Sequence, residues 1–327
     1  MPEALILGAT GFIGGQIARK AAAEGWSISG LRRRKDAVGS IQDLAMTWYN
    51  GDLSDQKSLE KALDGKEIVF HAAGFYPPDN DFKKTPHYLK QAENQINTIL
   101  DAIHNTSINK LIYTSSLTTI GHPPAGESRL ADERDRYQPG TLPDNAYYES
   151  KILMEDRVLQ AAEEGLSAVV LNPTTVFGPG DVHLITGGIL TLLAGGKVFA
   201  VPEGIVNIID VRDVAQAHLS AAIQGKSGER YILGGKNYQI REAAEVVAQA
   251  AGVAPPKITI PDWMIKLYTY TADRTAVIPP APFHLKAFEH WQGYNTGKAE
   301  RELNLYTRPL KTTIKDSLGW FEDQGIL

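Results

Sequence analysis

Gly8-Ala9-Thr10-Gly11-Phe12-Ile13-Gly14 follows an apolar run, Ala4–Leu7, and leads into a stretch, Phe12–Glu24, whose apolar positions Ile13, Ile17, Ala18 and Ala21 recur at helical spacing. The order is therefore strand, glycine turn, helix. Glycine is needed where such a chain turns tightly, where its backbone must approach a bound group, and where the helix packs onto the strand. The helix start leaves N–H groups unpaired and presents the positive end of a dipole, and both suit a phosphate. These seven residues predict a pyrophosphate-binding turn at the head of a βαβ unit.

Further along, short apolar runs alternate with amphipathic stretches. Trp26–Leu31, Thr47–Tyr49, Ile68–Ala72, Leu111–Thr114 and Ala168–Leu171 have strand character, and Leu89–His104 and Tyr147–Glu163 have helical periodicity. This alternation predicts an α/β fold, a doubly wound parallel sheet of the Rossmann type with right-handed crossovers. Beyond Asn172-Pro173 the pattern loosens. Gly178-Pro179-Gly180 is a turn, and short apolar runs follow at Val198–Val201 and Val206–Ile209. Helical stretches at Ile209–Ala222 and Arg241–Ala251 flank a strand at Tyr231–Leu233, and prolines then cluster at 255–256, 261, 279–280 and 282. Residues 1–172 are expected to form the dinucleotide-binding domain. Residues 173–327 are expected to form mainly a smaller α+β substrate-binding region, with strands between about 206 and 233 returning to the first sheet.

The 327 residues carry a formal charge of −5 and no cysteine. A mildly acidic chain argues against a nucleic-acid or anionic-membrane partner. Without cysteine there is no disulfide, thiolate-zinc site or thiol nucleophile, and no metal is expected. Met1-Pro2-Glu3 is not a basic leader, and Leu184–Val201 is interrupted by glycines, threonines and Lys197. A soluble, cytoplasmic protein acting on a small molecule is the expectation.

The second strand ends at Leu31 and runs into Arg32, Arg33, Arg34 and Lys35, with no acid between Glu24 and Asp36. An acid here would take the adenosine ribose hydroxyls, whereas a cation can pair with a 2′-phosphate. Arg32, nearest the strand end, therefore points to NADP(H), with NAD the alternative. Tyr147 and Lys151 stand four apart on a predicted helix and so share a face. A nearby ammonium favours the phenolate, which is expected to bring the phenol into the range of a general acid and base. Tyr113-Thr114-Ser115-Ser116 closes the preceding strand, where a hydroxyl would hold a substrate carbonyl beside the tyrosine.

Together these segments resemble the extended short-chain dehydrogenase/reductase family, also described as the NAD-dependent epimerase/dehydratase family. The resemblance takes in Gly51-Asp52-Leu53, His71-Ala72-Ala73-Gly74, Asn172–Gly178, Asp210–Ala215, Tyr231–Gly235, Lys298–Leu303 and Gly319-Trp320-Phe321. It implies that Gly8, Thr10, Gly11, Phe12 and Ile13 cradle the pyrophosphate, that Asp52 and Leu53 meet adenine, and that Ala72, Ala73 and Gly74 run along ribose and phosphates. Pro173, Thr174 and Val176 would seat the carboxamide. Ser116 matches the catalytic serine, Tyr147 the proton donor, and Lys151 the residue that binds the nicotinamide ribose. Tyr148 is out of phase with Lys151 and reads as packing. Family members often dimerise through the two helices at Leu89–His104 and Tyr147–Glu163, so a homodimer is the expectation.

Within the family, sugar dehydratases carry an Asp-Glu pair after the catalytic strand, whereas Leu117, Thr118 and Thr119 stand here. Nucleotide-sugar epimerases typically place an arginine before the segment matching Asp210–Ala215, whereas Ile205-Val206-Asn207-Ile208 stands here, although Asn172 would suit a sugar diphosphate. The runs Ile208–Ala215 and Asn172–Pro179 look most like the dihydroflavonol-4-reductase-like branch. Phe75, Tyr76, Trp263, Tyr268, Tyr270, Phe283, Phe288 and Trp291 could line an aromatic substrate cavity or serve as core. The leading expectation is NADP(H)-dependent reduction of a ketone or aldehyde. The alternatives are a nucleotide-sugar epimerase and a non-catalytic dinucleotide sensor, a kind of member that generally lacks the Tyr-Lys pair.

Overall fold

Ala4, Leu5, Ile6 and Leu7 leave the first strand without a polar face, so it can sit only in a sheet covered on both sides. The computed structural model, which describes residues 1–79, 82–272 and 292–327, has that arrangement. In chain order the first part comprises β1 (Glu3–Leu7), α1 (Phe12–Ala23), β2 (Ser27–Arg32), β3 (Thr47–Asn50), α2 (Gln56–Leu63), β4 (Ile68–His71), α3 (Thr85–His104), β5 (Lys110–Thr114), α4 (Ala146–Glu163) and β6 (Ala168–Pro173). There follow β7 (Thr175–Phe177), α5 (Gly187–Ala194), β8 (Ala200–Pro202), β9 (Ile205–Asp210), α6 (Val211–Gln224), β10 (Arg230–Leu233), β11 (Lys236–Gln239) and α7 (Ile240–Ala251). The described elements end with β12 (Ile258–Ile260), α8 (Asp262–Ala272), α9 (Gly297–Leu303) and α10 (Leu310–Asp323).

Seven strands form one parallel sheet in the order β10-β6-β5-β4-β1-β2-β3. Ala4 and Ile6 face a core built with Ile17, Ala18 and Ala21 of α1 and Val211, Val214 and Leu219 of α6. Leu5 and Leu7 face the other side, under Leu59 of α2, Ile96 and Ile99 of α3, and Met154 and Val158 of α4. Each fully buried aliphatic side chain contributes about 1.5–3 kcal/mol relative to exposure. The doubly wound sheet expected from the alternation is thus present, and its winding reverses between β1 and β4, where a crevice opens beyond the strand ends. Of the segment 206–233, Arg230–Leu233 joins the large sheet. Ile205–Asp210 instead lies between β7 and β11 in a separate sheet of three strands. This smaller sheet shares a third core with α5, α7 and α10.

One buried charge ties four of these elements together. Glu155 of α4 is 1% exposed. Its Oε2 accepts hydrogen bonds from Ser115 Oγ at 2.5 Å, Thr119 Oγ1 at 2.7 Å and Asn172 Nδ2 at 2.7 Å, and Arg230 Nε lies 2.8 Å from its Oε1. Arg230 also donates through Nη1 to the Glu133 carbonyl at 2.8 Å and through Nη2 to the Thr119 carbonyl at 3.2 Å. Removing one partner of such a pair leaves the other charge buried and uncompensated, at a cost of about 3–5 kcal/mol. Arg230→Met is accordingly expected to lose that amount of unfolding free energy in urea, and the pair Glu155→Gln with Arg230→Met to recover most of it. A loss below about 1 kcal/mol in the single variant would show that the pair is not desolvated.

Candidate active site

The crevice is a cavity of about 560 Å³. Gly8 after β1, Ala72 to Gly74 after β4, Ser115 and Ser116 after β5, and Pro173 to Val176 along β6 and β7 supply its floor, while His183, Ile185 and Ile189 reach it from the smaller lobe. Gly8 has φ +92°, and a Cβ there would lie 2.7 Å from Ala73 N, so β1 and β4 approach each other only because this residue has no side chain. A Cβ on Gly14 would stand 2.1 Å from the Gly8 carbonyl oxygen. Gly11 differs, since its Cβ would meet only that carbonyl, at 3.2 Å, and otherwise has room. Gly11 is also the N-cap of α1, with no side chain capping the helix and no acid in its first turn. An uncapped helix start opening on a cavity, with Thr10, Phe12 and Ile13 around it, fits a dinucleotide's pyrophosphate.

Tyr147 and Lys151 reach the same cavity from the first turns of α4. Asn145 caps that helix by accepting from Tyr148 N at 3.2 Å. Glu149 holds the approach loop by accepting from the Gly140 and Leu142 amides. The Tyr147 phenol is within hydrogen-bonding reach of Ser116 and Tyr76. The two serines part company here: Ser115 Oγ donates to Glu155, whereas Ser116 Oγ accepts from Thr118 N at 3.2 Å and lies beside Tyr147.

The electrostatics differ from the sequence expectation. Burial pushes the Tyr147 phenol well above its usual value, and Tyr76 adds to the rise while the Ser116 hydrogen bond opposes it. Burial also pushes the Lys151 ammonium down to about 8, with the Glu155 carboxylate working against that fall. An ammonium that lowers the phenol was expected, but desolvation outweighs it because burial penalises charge of either sign. His71, at the end of β4, is held down to about 3 by burial and by the Lys151 charge, so it is neutral.

Of the residues singled out from sequence, Gly8, Thr10, Gly11, Phe12, Ile13, Ala72, Ala73, Gly74, Ser116, Tyr147, Lys151, Pro173, Thr174 and Val176 all line this one cavity. Arg32, Asp52 and Leu53 are not part of that lining. Asp52 accepts from Ser54 N and Oγ at 2.9 and 2.7 Å, Leu53 packs against the α3 side of the core, and Arg32 stands at the end of β2. Among the aromatic candidates within the described residues, only Tyr76 lines the cavity, its ring stacked on Tyr147 at 5.2 Å and 13°. Phe75 packs on the core, Trp263 and Tyr270 are exposed, and Phe283, Phe288 and Trp291 lie outside the described residues. Tyr148 is buried packing as expected, but it also edges the cavity, together with Leu117 and Thr118. His183, Ile185 and Ile189 were not foreseen. The spacing of the two isoleucines, four apart after the Gly178-Pro179-Gly180 turn, was the available signal.

The NAD dependent epimerase/dehydratase family matches residues 4–234. A protein of Synechocystis sp., described provisionally as a dihydroflavonol 4-reductase, is 31% identical over 335 residues, covering 98% of this chain and 94% of that one. The crystal structure of gox2253 superposes over the full length of both chains with a TM-score of 0.84 at 31% identity. A nucleoside-diphosphate-sugar epimerase from Pseudomonas aeruginosa has a TM-score of 0.81 at 23% identity, over 100% of this chain and 99% of that one, and shares the fold. Among the described residues no helix is long and apolar enough to cross a membrane. With a family match over that span and a relative above 30% identity along nearly its whole length, this chain belongs to the NAD-dependent epimerase/dehydratase family of extended short-chain dehydrogenases/reductases and is an NAD(P)-dependent oxidoreductase.

Proposed function

We propose that this oxidoreductase uses NADPH to reduce a ketone or aldehyde of a small organic molecule to an alcohol, with Ser116, Tyr147 and Lys151 as its catalytic residues. The observation that carries this reading is the cavity wall: among the described residues it holds no aspartate, glutamate or arginine, and Lys151 is its one lysine. Dehydration of a sugar needs an acid where Leu117 and Thr118 stand. The arginine with which nucleotide-sugar epimerases typically grip the diphosphate has no counterpart among Ile205-Val206-Asn207-Ile208, and Ile185 and Ile189 line the outer wall of the cavity. Asn172, a candidate for the diphosphate, is fully buried and donates to Ser116 O, Thr119 Oγ1 and Glu155. The relative described as a dihydroflavonol 4-reductase is in keeping with carbonyl reduction.

When bound, the dihydronicotinamide supplies the hydride. Ser116 orients the carbonyl oxygen beside Tyr147. The Tyr147 phenol, kept protonated at neutral pH by its burial, donates the proton to that oxygen. Lys151 holds the nicotinamide ribose and stabilises the tyrosinate that remains. Consumption of NADPH in proportion to alcohol formed is the test of the reaction. Turnover of a sugar nucleotide without net cofactor consumption would replace it with the epimerase reading.

Gly11→Val is expected to fold, since its surroundings leave room, and to lose cofactor binding by titration, because the side chain would occupy the pyrophosphate's place. Normal binding by the folded variant would move the cofactor elsewhere. Tyr147→Phe should lower the chemical step by roughly 10²–10⁴-fold with cofactor affinity nearly unchanged. Ser116→Ala should slow turnover at intact affinity. Ser115→Ala should instead act mainly on stability, by about 1.5–3 kcal/mol, because its hydroxyl serves Glu155. Turnover should be level below neutral pH and fall as pH rises through about 8, where Lys151 loses its charge while Tyr147 stays protonated. A rate at saturating NADPH that stays flat to about pH 10 would remove Lys151 from the titrating role.

A further inference from the structure

Four consecutive cations, from Arg32 at the end of β2 to Lys35, are not equivalent. Arg34 is exposed and lies 3.8 Å from Asp36, Lys35 is exposed, and Arg33 is exposed with its charge near Asp52. Arg32 alone is half-buried, with its guanidinium carbon 4.8 Å above the centre of the Trp48 ring. Gly30, two residues earlier on the same face of β2, stands opposite Trp48 in the register with β3. A Cβ at Gly30 would lie 2.7 Å from Trp48 Cζ3 and 2.9 Å from Met46 Cε, so the indole lies back across β2 where a side chain is missing. Arg32 Nη1 reaches only the Ala37 carbonyl, at 3.5 Å, and Nε is buried without a partner. The loop after Arg32 then turns through Gly39, with φ +57°, where a Cβ would lie 2.3 Å from the Thr10 carbonyl. Arg32 is thus held on a ring with unused donors, beside a loop seated against the phosphate-binding turn.

We infer that Trp48 is a positioning residue for cofactor choice: its indole holds the Arg32 guanidinium in place and ready for the 2′-phosphate of NADP(H), and so sets the preference over NAD(H). This rests on reading Arg32 as the 2′-phosphate partner. A free arginine loses rotamer freedom when it clamps a phosphate, and a guanidinium already held over an indole loses less. The attraction is a cation–π interaction, strongest for tryptophan and stronger when desolvated. Lysine, a hydrated point charge without a planar fork, cannot use the platform in the same way.

Isothermal titration of NADPH and NADH into the intact protein and its Trp48→Leu, Arg32→Lys and Arg32→Ala variants tests this inference. Trp48→Leu should reduce the NADPH-to-NADH affinity ratio by about 3- to 10-fold, with NADH affinity unchanged. Arg32→Lys, which leaves the core untouched and keeps the charge, should show a loss of similar size. Adenosine 2′,5′-bisphosphate should weaken in parallel with NADPH, and adenosine 5′-monophosphate should not change. If Arg32→Ala abolishes the preference while Trp48→Leu or Arg32→Lys keeps it whole, the platform is overturned and the Arg32 reading stands. If the unmutated protein shows no preference, or Arg32→Ala changes nothing, the Arg32 reading itself fails and takes the platform with it.

Discussion

Glu155 is a carboxylate removed from water, and a buried charge is tolerated only when hydrogen bonds and an opposite charge compensate it. Its hydrogen-bond donors come from the end of β5, the turn after it and β6, the Arg230 guanidinium of β10 is its ion-pair partner, and Glu155 itself rides on α4. All of these elements must therefore be in register together, or a charge is left unpaired. The catalytic candidates hang from the same knot. Ser116 adjoins Ser115, Lys151 is one helical turn before Glu155, and Tyr147 is two turns before it. The packing that closes the sheet at β10 is thus the packing that aims the three side chains into one cavity.

The same carboxylate bears on the charge state of the site. Lys151 is 4% exposed, and burial alone would favour its neutral form, while Glu155 supports the ammonium. Burial pushes the Tyr147 phenol upward, toward its neutral, protonated form. Burial thus moves the two groups in opposite pKa directions, up for the phenol and down for the ammonium, since it favours the neutral form of each.

The smaller lobe makes the cavity mainly apolar on its outer side. Asp210 caps α6 by accepting from Arg212 N at 2.8 Å and receives a hydrogen bond from Thr313 of α10 at 2.9 Å. Asp213, on the next turn, pairs with Arg308. Through these contacts the last described helix packs against α5 and α7 in a core separate from the two faces of the main sheet. Ile185 and Ile189 therefore meet the cavity from a body with its own apolar core, joined to the main sheet through α6 and through the Gln16 hydrogen bond to the Pro179 carbonyl at 2.9 Å.

Local patterns were enough to read the parallel sheet, because Ala4–Leu7 and its counterparts are apolar on both faces and the stretches between them repeat at helical period. The glycine turn after β1 was legible for a similar reason: Gly8 and Gly14 meet steric demands within a few residues of chain. That Tyr147 and Lys151 share one helix face followed from their spacing of four. Other features depend on residues far apart in sequence, which only the tertiary structure brings together. Ser115 and Ser116 are adjacent hydroxyls in sequence, and their separate tasks depend on Glu155, forty positions away. The strand at Ile205–Asp210 has the composition of a main-sheet strand, yet it pairs with β7 and β11. The direction of the Tyr147 shift could not be read either, since spacing places an ammonium nearby but desolvation depends on everything packed around the phenol. Sequence by itself determined the periodic and local features, whose causes lie within a turn or a strand. Burial, pairing partners and the division of labour between neighbouring hydroxyls were decided by the fold, because each is a property of surroundings that distant segments supply.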